Sequence, residues 1–393
     1  MKNSKIGESI FTIEFLLEKL NAKGEKNCTI QNLQEFDAED ITGGVAFFSI
    51  IYSVKFKWKN PASLDSIIVK VPKLQGALTH INNALKDESP NEGLKDKFEE
   101  HLEKSHKVEE EVYTFFSQKK DNSLKLPKFY YSQPYSRYNN NGVLIIEDFT
   151  PHATPIKLIP GFSNEQVENV IDELAKLQAV SLKDRSWVKT LSKDMPESDT
   201  LDDFIPVIKK LAEIDENKFK NIIPKLLDLA HVCTDLAFYT KEKYGFMPFL
   251  VHGDLWSSNV LWKFDEHNKA TNELVAIIDW QMSRPGNPGV DFGRLLAVNT
   301  STEYRRKNTE RLLKRYLKKL EENLGEKPPV TFEQLMDAYN HALSFVAYFA
   351  AYGAPSYYNM SSVVGTPPKE ELREELLLRT QGIIEDALNF FKQ

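Results

Sequence analysis

Alternating apolar and polar residues dominate the first part of the chain. The run FFSIIYSVKFKW (47–58) has the two-residue period of a strand, and SLDSIIVKVP (63–72) is a second β-rich run. The apolar stretch within NGVLIIEDFT (141–150) is typical of a buried strand, whereas residues 94–119 have the spacing of a long polar helix. The pattern therefore predicts a small sheet with one long helix over residues 1–148.

Helical periodicity dominates after residue 148. Short apolar strands interrupt it in FLVHGDL and NVLWKF (249–264) and in ELVAIIDW (273–280). The predicted helices cover 165–182, 201–218, 221–243, 288–298, 303–323, 331–353 and 369–392, with a loop over 354–368. The chain is thus predicted to be an α+β protein, with a β-rich N-terminal lobe (1–148) and a mostly α-helical C-terminal lobe (149–393).

Composition excludes several classes of protein. The 393 residues are 41% hydrophobic and 27% charged, which is ordinary for a globular protein and excludes disordered and fibrous chains. The net charge of 50 − 57 = −7 argues against nucleic-acid binding, which needs clustered basic residues. Two distant cysteines, Cys28 and Cys233, exclude a disulfide framework and fit a reducing compartment. No signal peptide or membrane span is predicted, so we expect a cytoplasmic protein, and no protein partner is evident.

The segment VHGDLWSSN (251–259) carries the most specific chemical signal. Asp254 and Asn259 lie five residues apart in a predicted loop, and Asp279 ends the apolar run of the next strand. Phosphoryl transfer needs a carboxylate that accepts the proton of the attacking hydroxyl, and oxygen ligands that hold Mg²⁺. The pattern HxDxxxxN followed by a strand-terminal Asp therefore predicts Asp254 as the catalytic base and Asn259 and Asp279 as metal ligands. The alternative is that all three residues only form turns.

Two further residues, His252 and Asp291, are predicted to have structural roles. His252 precedes the candidate base and is expected to form hydrogen bonds that hold the loop. Asp291 begins the letters DFG, which spell the metal motif of protein kinases. However, it follows Asn-Pro-Gly and opens a predicted helix, whereas Asp279 directly ends a strand. We therefore expect Asp291 to cap the helix or to brace the catalytic loop.

A nucleotide site of this kind also needs a covering loop, a lysine and a partner acid. The candidate loop is residues 43–49, in which Gly43 and Gly44 would let the backbone approach phosphate and Ser49 ends the loop. Lys70 lies within the predicted strand IIVKVP. Its apolar neighbours indicate burial, where a lysine needs a partner. An edge-strand lysine that faces solvent is the alternative.

Helical geometry selects the partner acid. At 100° per residue from Phe98, Glu109 falls near 20°, inside the apolar face of the long helix. Glu110 and Glu111 fall near 120° and 220° by the same rule, away from that face. We therefore predict an ion pair between Glu109 and Lys70. The alternative is that the helix has a different phase and all three glutamates are solvated.

The strand GVLIIEDF is the candidate hinge. Its position after the long helix suggests that backbone groups near Glu147 and Phe149 bind an adenine edge. The alternative is that Glu147 and Asp148 only mark a strand end that starts a turn.

These segments together resemble the ecdysteroid-kinase-like (CHK kinase-like) family, which is related to aminoglycoside phosphotransferases and choline kinases, and its nematode branch is the most similar. The matching pieces occur in the family's order and cover most of residues 41–300: ITGGVAFFSIIYSV, IIVKVP, EEEVYTFF, VLIIEDF, LAKLQAVSL, VHGDLWSSNVLW, AIIDWQ and GNPGVDFGRLL. One departure is Ala46 in the covering loop, where family members often have another glycine.

The resemblance implies a protein-kinase-like two-lobed fold and ATP- and Mg²⁺-dependent phosphorylation of a hydroxyl group on a small molecule. It implies Asp254 as base, Asn259 and Asp279 as Mg²⁺ ligands, and Lys70, paired with Glu109, as a phosphate contact. The acceptor would be steroid-like, xenobiotic or another metabolite. Two alternatives stay open, namely a choline or ethanolamine kinase-like enzyme and a nucleotide-binding pseudokinase that acts as an interaction module.

Overall fold

The computed structural model describes residues 2–43, 48–74, 76, 92–119, 121, 123–139, 141–191, 199–238 and 240–392. These residues form two compact units. The first unit contains the described residues up to Ala153 except 121 and 123–125, and the second contains those residues and everything from Thr154 onwards.

A five-stranded antiparallel sheet forms the first unit, in the order β1-β2-β3-β5-β4. The strands and helices of this unit are β1 (Leu33–Asp40), β2 (Ser49–Trp58), β3 (Ser66–Pro72), β4 (Phe129–Gln133), β5 (Val143–Glu147), α1 (Ile13–Ala22) and α2 (Glu92–Ser117). The predicted strands in 47–58, 63–72 and 141–150 and the long polar helix are confirmed. The short strand β4 was not predicted.

The centre of this sheet is buried because β3 lies between β2 and β5. Lys70 pairs with Ile51 on β2 and with Leu144 on β5. Its neighbour Val69 points into an apolar core that includes Leu16 and the other buried leucines of α1. Because successive side chains of a strand point to opposite faces, Lys70 points to the other face of the sheet.

The second unit is mostly helical. Its helices are α3 (Asn164–Lys183), α4 (Val188–Leu191), α5 (Asp199–Asp202), α6 (Ile205–Ile214), α7 (Glu216–Phe219), α8 (Ile223–Asp228), α9 (Ala230–Phe238), α10 (Thr240–Tyr244), α11 (Gly289–Asn299), α12 (Thr302–Leu324), α13 (Phe332–Tyr357), α14 (Ser361–Val364) and α15 (Glu370–Phe391). Its strands are β7 (Phe249–Val251), β8 (Val260–Phe264), β9 (Ala270–Ile277) and β10 (Arg284–Gly286), and β6 (Ala153–Pro155) spans the division between the units.

Two antiparallel pairs position the loops of interest. β7 pairs with β10, and β8 forms a hairpin with β9. The loop that follows β7 contains the predicted catalytic segment, and the turn that follows β9 contains Asp279.

Helix boundaries differ from the sequence prediction in two places. The predicted helices 201–218 and 221–243 are divided into shorter ones, because Pro206 and Pro224 occupy first turns and the Asp215 side chain caps α7. The predicted loop 354–368 is also partly helical. α13 continues through Pro355 to Tyr357. Among the described residues, no helix is long and apolar enough to cross a membrane.

Candidate active site

A glycine turn shapes the loop after β7. Gly253 has φ +86°, a conformation that side-chain-bearing residues rarely adopt. A Cβ atom there would lie 2.5 Å from the Met282 carbonyl oxygen. The loop therefore needs glycine at this position, and the turn directly precedes Asp254.

Asp291 braces the same loop from α11. Its side chain is fully buried and accepts hydrogen bonds from the backbone N–H groups of His252 (3.0 Å) and Gly253 (2.8 Å). Burial raises the pKa of Asp291, and the His252 and Gly253 contacts and the Arg284 charge oppose that rise. Pro288 is the N-cap of α11, so Asp291 does not cap it. Of the two predicted roles, bracing is confirmed.

His252 also holds the loop. Its ring is fully buried, and Nδ1 accepts the Asp254 backbone N–H at 3.2 Å. Its Nε2 lies 3.0 Å from the Ile278 carbonyl oxygen, next to Asp279. Because Nδ1 accepts, Nε2 carries the proton and donates it to that carbonyl. His252 thus joins the loop after β7 to the end of β9, as predicted for a structural histidine.

Both oxygens of the Asp254 carboxylate have partners. Oδ1 accepts from Nε of Arg294 on α11 at 3.1 Å, and Nη2 of the same guanidinium lies 3.0 Å from Oδ1 in the ion pair. Oδ2 accepts from the Asn259 side-chain amide at 3.2 Å, and the same amide nitrogen donates to the Asp254 carbonyl at 2.9 Å. Asp254 remains about one-quarter exposed, whereas Asn259 is buried. Since the Asn259 amide nitrogen is used, its carbonyl oxygen is the atom suited to a metal ion.

Asp279 adopts a strained backbone conformation two residues after the end of β9. Its φ and ψ are 64° and 62°, in the left-handed region that non-glycine residues seldom occupy. Such strain is concentrated at functional sites. The N–H of Ile278 donates to the Asn259 backbone carbonyl at 2.9 Å, which holds Asp279 beside the start of β8. The structure therefore brings together Asp254, Asn259 and Asp279.

The oxygen atoms at this site suit Mg²⁺. Asn259 and Asp279 offer a carbonyl and a carboxylate oxygen, which are the ligand types of this hard ion. Among the described residues there is no group of three or more His, Cys, Asp or Glu side chains that could hold a metal ion by itself. Magnesium at phosphoryl-transfer sites typically has only one or two protein carboxylates and completes its shell with phosphate oxygens and water. The residues therefore fit a Mg²⁺ that binds together with a nucleotide.

The first unit contains the predicted ion pair. Lys70 Nζ lies 2.6 Å from Glu109 Oε2, and the two side chains are 9% and 2% exposed. Glu109 is buried in α2, whereas Glu110 and Glu111 are only half-buried. The pairing derived from helical phase is thus present, while a role of the pair in nucleotide binding stays a prediction.

The other predicted nucleotide contacts belong to the covering loop and to the candidate hinge. Gly43 is exposed with φ +61°, and Ser49 is buried at the start of β2. Gly44 and Ala46 lie outside the described residues, so the covering loop stays a prediction. Glu147 ends β5, and its backbone N–H donates to the Lys128 carbonyl oxygen. The Phe149 carbonyl accepts from the N–H groups of His152 and Ala153, so this oxygen is already engaged in a turn.

Sequence reasoning missed the arginines of this site. Arg294 is the ion-pair partner of Asp254, and Arg284 on β10 is buried with its guanidinium 5.1 Å from the centre of the Phe345 ring. Burial lowers the pKa of Arg284 to about 9, against the opposing charges of Asp291 and Asp254. The only sequence signal was the position of Arg294, three residues after Asp291 and hence on the same face of α11.

Two tryptophans flank the candidate site, Trp256 beside the candidate base and Trp280 beside the candidate metal ligand Asp279. Trp280 is 1% exposed and donates to the Ile277 carbonyl, so it belongs to the core. Trp256 is also buried, and its ring stacks on Tyr357 with 5.6 Å between centroids. Both rings support the loops around Asp254 and Asp279 rather than forming an open wall.

Known proteins with similar sequences identify the family of this chain. Residues 18–393 match the model of the DUF1679 family, whose description is "Uncharacterized oxidoreductase dhs-27". The chain belongs to this family. Two similar proteins are from Caenorhabditis elegans. The uncharacterized kinase-like protein D1044.1 is 26% identical over 362 residues, which are 87% of this chain and 90% of that protein.

The second relative explains the wording of the family's description. The uncharacterized oxidoreductase dhs-27 is 24% identical over 388 residues, which are 96% of this chain but 45% of that protein. This DUF1679 chain therefore spans less than half the length of dhs-27. A name that describes the longer protein does not by itself assign oxidoreductase chemistry to this part.

A solved structure defines the fold. The choline kinase of Cryptosporidium parvum Iowa II superposes with a TM-score of 0.51 at 14% identity, over 97% of this chain and 96% of that chain. This likeness confirms the predicted α+β, protein-kinase-like fold with a β-rich N-terminal and a mostly helical C-terminal part.

Proposed function

We propose that this protein is an ATP- and Mg²⁺-dependent phosphotransferase that phosphorylates a hydroxyl group of a small molecule. The observation that carries the proposal is the cluster of Asp254, Asn259 and Asp279 on two adjoining loops, held in place by His252 and Asp291. The kinase-like fold and the kinase-like relative support the same reaction class.

Each residue has a chemical task in this proposal. The Asp254 carboxylate accepts the proton of the acceptor hydroxyl as that oxygen attacks phosphorus. Asn259 and Asp279 would hold Mg²⁺, which neutralises negative charge on the phosphates when it is bound. Lys70, fixed by Glu109, contacts phosphate oxygens through its ammonium group. Gly43, Gly44 and Ser49 cover the phosphates, and backbone groups near Glu147 and Phe149 bind the adenine edge. The Glu147 N–H and the Phe149 carbonyl are not among these groups, because both already form hydrogen bonds.

The acceptor class follows from the resemblance to the ecdysteroid-kinase-like family. We propose a steroid-like, xenobiotic or other metabolite acceptor with a free hydroxyl. A choline or ethanolamine kinase-like activity is the nearest alternative. A site that binds the ammonium group of choline or ethanolamine typically contains unpaired acidic side chains or an aromatic cage. Next to Asp254 the structure instead has the Arg294 guanidinium, which neutralises that carboxylate. A pseudokinase would not need the complete set of Asp254, Asn259, Asp279 and Lys70.

Nucleotide binding can be tested without an acceptor. We expect saturating Mg-ATP to raise the melting temperature, because a ligand that binds only the folded state stabilises it by about 2.7 kcal/mol at 100 times its Kd. Lys70→Met should weaken this stabilisation, since it removes the ammonium group. Lys55→Met is the matched control, because Lys55 forms an exposed ion pair with Glu39 in the same sheet. Absence of any shift at millimolar Mg-ATP would contradict the proposal.

A further inference from the structure

One buried cation contacts the candidate base directly. Arg294 lies in α11, one helical turn after Asp291. Asp291 accepts from the loop backbone while Arg294 donates to the Asp254 side chain, so α11 holds the loop at two points. The Arg294 side chain is 11% exposed, which separates this pair from the solvent-exposed ion pairs that contribute little.

The Arg294 guanidinium is itself held in place. It lies close to the Tyr357 hydroxyl at the C-terminal end of α13, where burial raises the pKa of that hydroxyl and the Arg294 charge opposes the rise. The Tyr357 ring stacks on Trp256, which lies in the same loop as Asp254. Side chains from α11, α13 and the loop therefore support one another, and the guanidinium has a defined position relative to the carboxylate.

The contacts distinguish the two carboxylate oxygens. Oδ1 accepts a hydrogen bond from Arg294 Nε at 3.1 Å and lies 3.0 Å from Arg294 Nη2, so the guanidinium faces this oxygen. Arginine stays protonated in proteins, so these donors cannot take up a proton. Oδ2 has one neutral donor, the Asn259 amide at 3.2 Å, and therefore keeps a lone pair for another partner.

We propose that Arg294 is a positioning residue, which occupies Oδ1 of Asp254 so that Oδ2 is the atom that receives the proton of the acceptor hydroxyl. This inference rests on the proposed phosphotransferase function. In the step, the acceptor O–H bond breaks and its proton goes to Oδ2. The acceptor oxygen forms a bond to the γ-phosphorus, and the bond from that phosphorus to the leaving oxygen of ADP breaks.

The test uses water as the acceptor, so no natural substrate is needed. Slow hydrolysis of Mg-ATP is measured for the wild type, Arg294→Ala, Arg294→Lys and Arg294→Gln. We expect Arg294→Ala to lower kcat by about 10- to 100-fold, the scale of a misplaced catalytic group, while KM for ATP stays unchanged. Arg294→Lys should retain part of the rate, and millimolar guanidinium should partly restore Arg294→Ala.

A double-mutant comparison separates positioning from a merely structural role. If Arg294 acts through Asp254, adding Arg294→Ala to Asp254→Asn should cause no further loss of kcat. The matched control is Arg315→Ala, because Arg315 on α12 forms two hydrogen bonds with the Asp172 carboxylate on α3. This control should keep the wild-type rate. Melting curves verify folding, and Arg294→Gln replaces Arg294→Ala in the comparison if the alanine variant does not fold.

Three results would overturn the inference. The first is a wild-type kcat in a folded Arg294→Ala protein, and the second is an equal loss of kcat from the Arg294 substitution with and without Asp254. The third is a wild-type protein that binds no nucleotide and hydrolyses no ATP. That result would refute the proposed function itself, which distinguishes it from a failure of the role assigned to Arg294.

Discussion

Asp254→Asn is expected to lower turnover by about 100- to 10,000-fold, the usual contribution of a positioned base. Asparagine keeps the shape of the side chain, and its one oxygen can still accept from Arg294. It cannot accept a proton at the position of Oδ2. Since Asp254 is assigned to the hydroxyl and not to the phosphates, the affinity for ATP should change little. This is the pattern of an interaction that is used mainly in the transition state.

The measurement is kcat for transfer or for slow ATP hydrolysis, with the nucleotide Kd determined separately. Asp172→Asn is a matched control, because its carboxylate is similarly exposed and is also paired with an arginine. A folded Asp254→Asn protein with undiminished transfer would refute the role of Asp254 as base. Loss of ATP binding with intact chemistry at saturation would instead assign Asp254 to the metal site.

Asp279→Asn and Asp291→Asn are expected to affect different properties of the protein, although both remove one carboxylate. Asparagine tolerates the left-handed conformation of Asp279, so that substitution should leave the fold intact. It should weaken Mg²⁺-dependent nucleotide binding by at least about 10-fold, because loss even of an indirect metal contact typically has such an effect.

Asp291→Asn should act on stability instead. Its two oxygens accept separate backbone N–H groups, and an asparagine offers only one oxygen to them. We expect a loss of about 2–3 kcal/mol in the free energy of unfolding, the scale for a hydrogen bond to a buried charged group. Metal-dependent binding should persist in the folded fraction. If Asp291→Asn abolished metal binding in a folded protein while Asp279→Asn had no effect, the assignment of the metal ligands would be wrong.

Local periodicity was sufficient to predict those parts of the structure that neighbouring residues determine. The strand containing Lys70 and the apolar face of α2 are both properties of short segments, so the pairing of Lys70 with Glu109 could be predicted from the sequence. The same holds for the loop that contains Asp254 and Asn259, because their spacing along the chain is short.

Contacts between distant segments could not be predicted in this way. Arg294 lies 40 residues from Asp254, and nothing in a helical pattern indicates which loop an arginine on α11 will meet. Likewise, Asp148 follows the end of β5 and its Oδ1 accepts the Thr150 N–H at 2.8 Å in a turn, which agrees with the predicted alternative. Nothing local indicated that its Oδ2 also accepts from the Ser53 hydroxyl on β2 at 2.9 Å. Such contacts depend on tertiary packing, which residue type and spacing do not encode locally.

The division of the helices between residues 201 and 244 shows the same limit. Amphipathic spacing indicated two long helices there, and prolines in the first turns of α6 and α8 began new ones. A proline within α13 had no such effect, because the helix continues past Pro355 to Tyr357. This continuation brings Tyr357 to Arg294, so the end of α13 belongs to the surroundings of the candidate base.

Phosphate transfer to a small molecule is the most direct test of the proposed function. The purified protein is incubated with Mg²⁺, a metabolite extract and ATP that carries heavy oxygen in its γ-phosphate, and products are detected by mass spectrometry. We predict at least one hydroxyl compound that gains a single labelled phosphate with the wild type, and that does so far more slowly with Asp254→Asn. If no compound gains the label although Mg-ATP is bound, or if Asp254→Asn forms the same product at the wild-type rate, the proposed function would be contradicted.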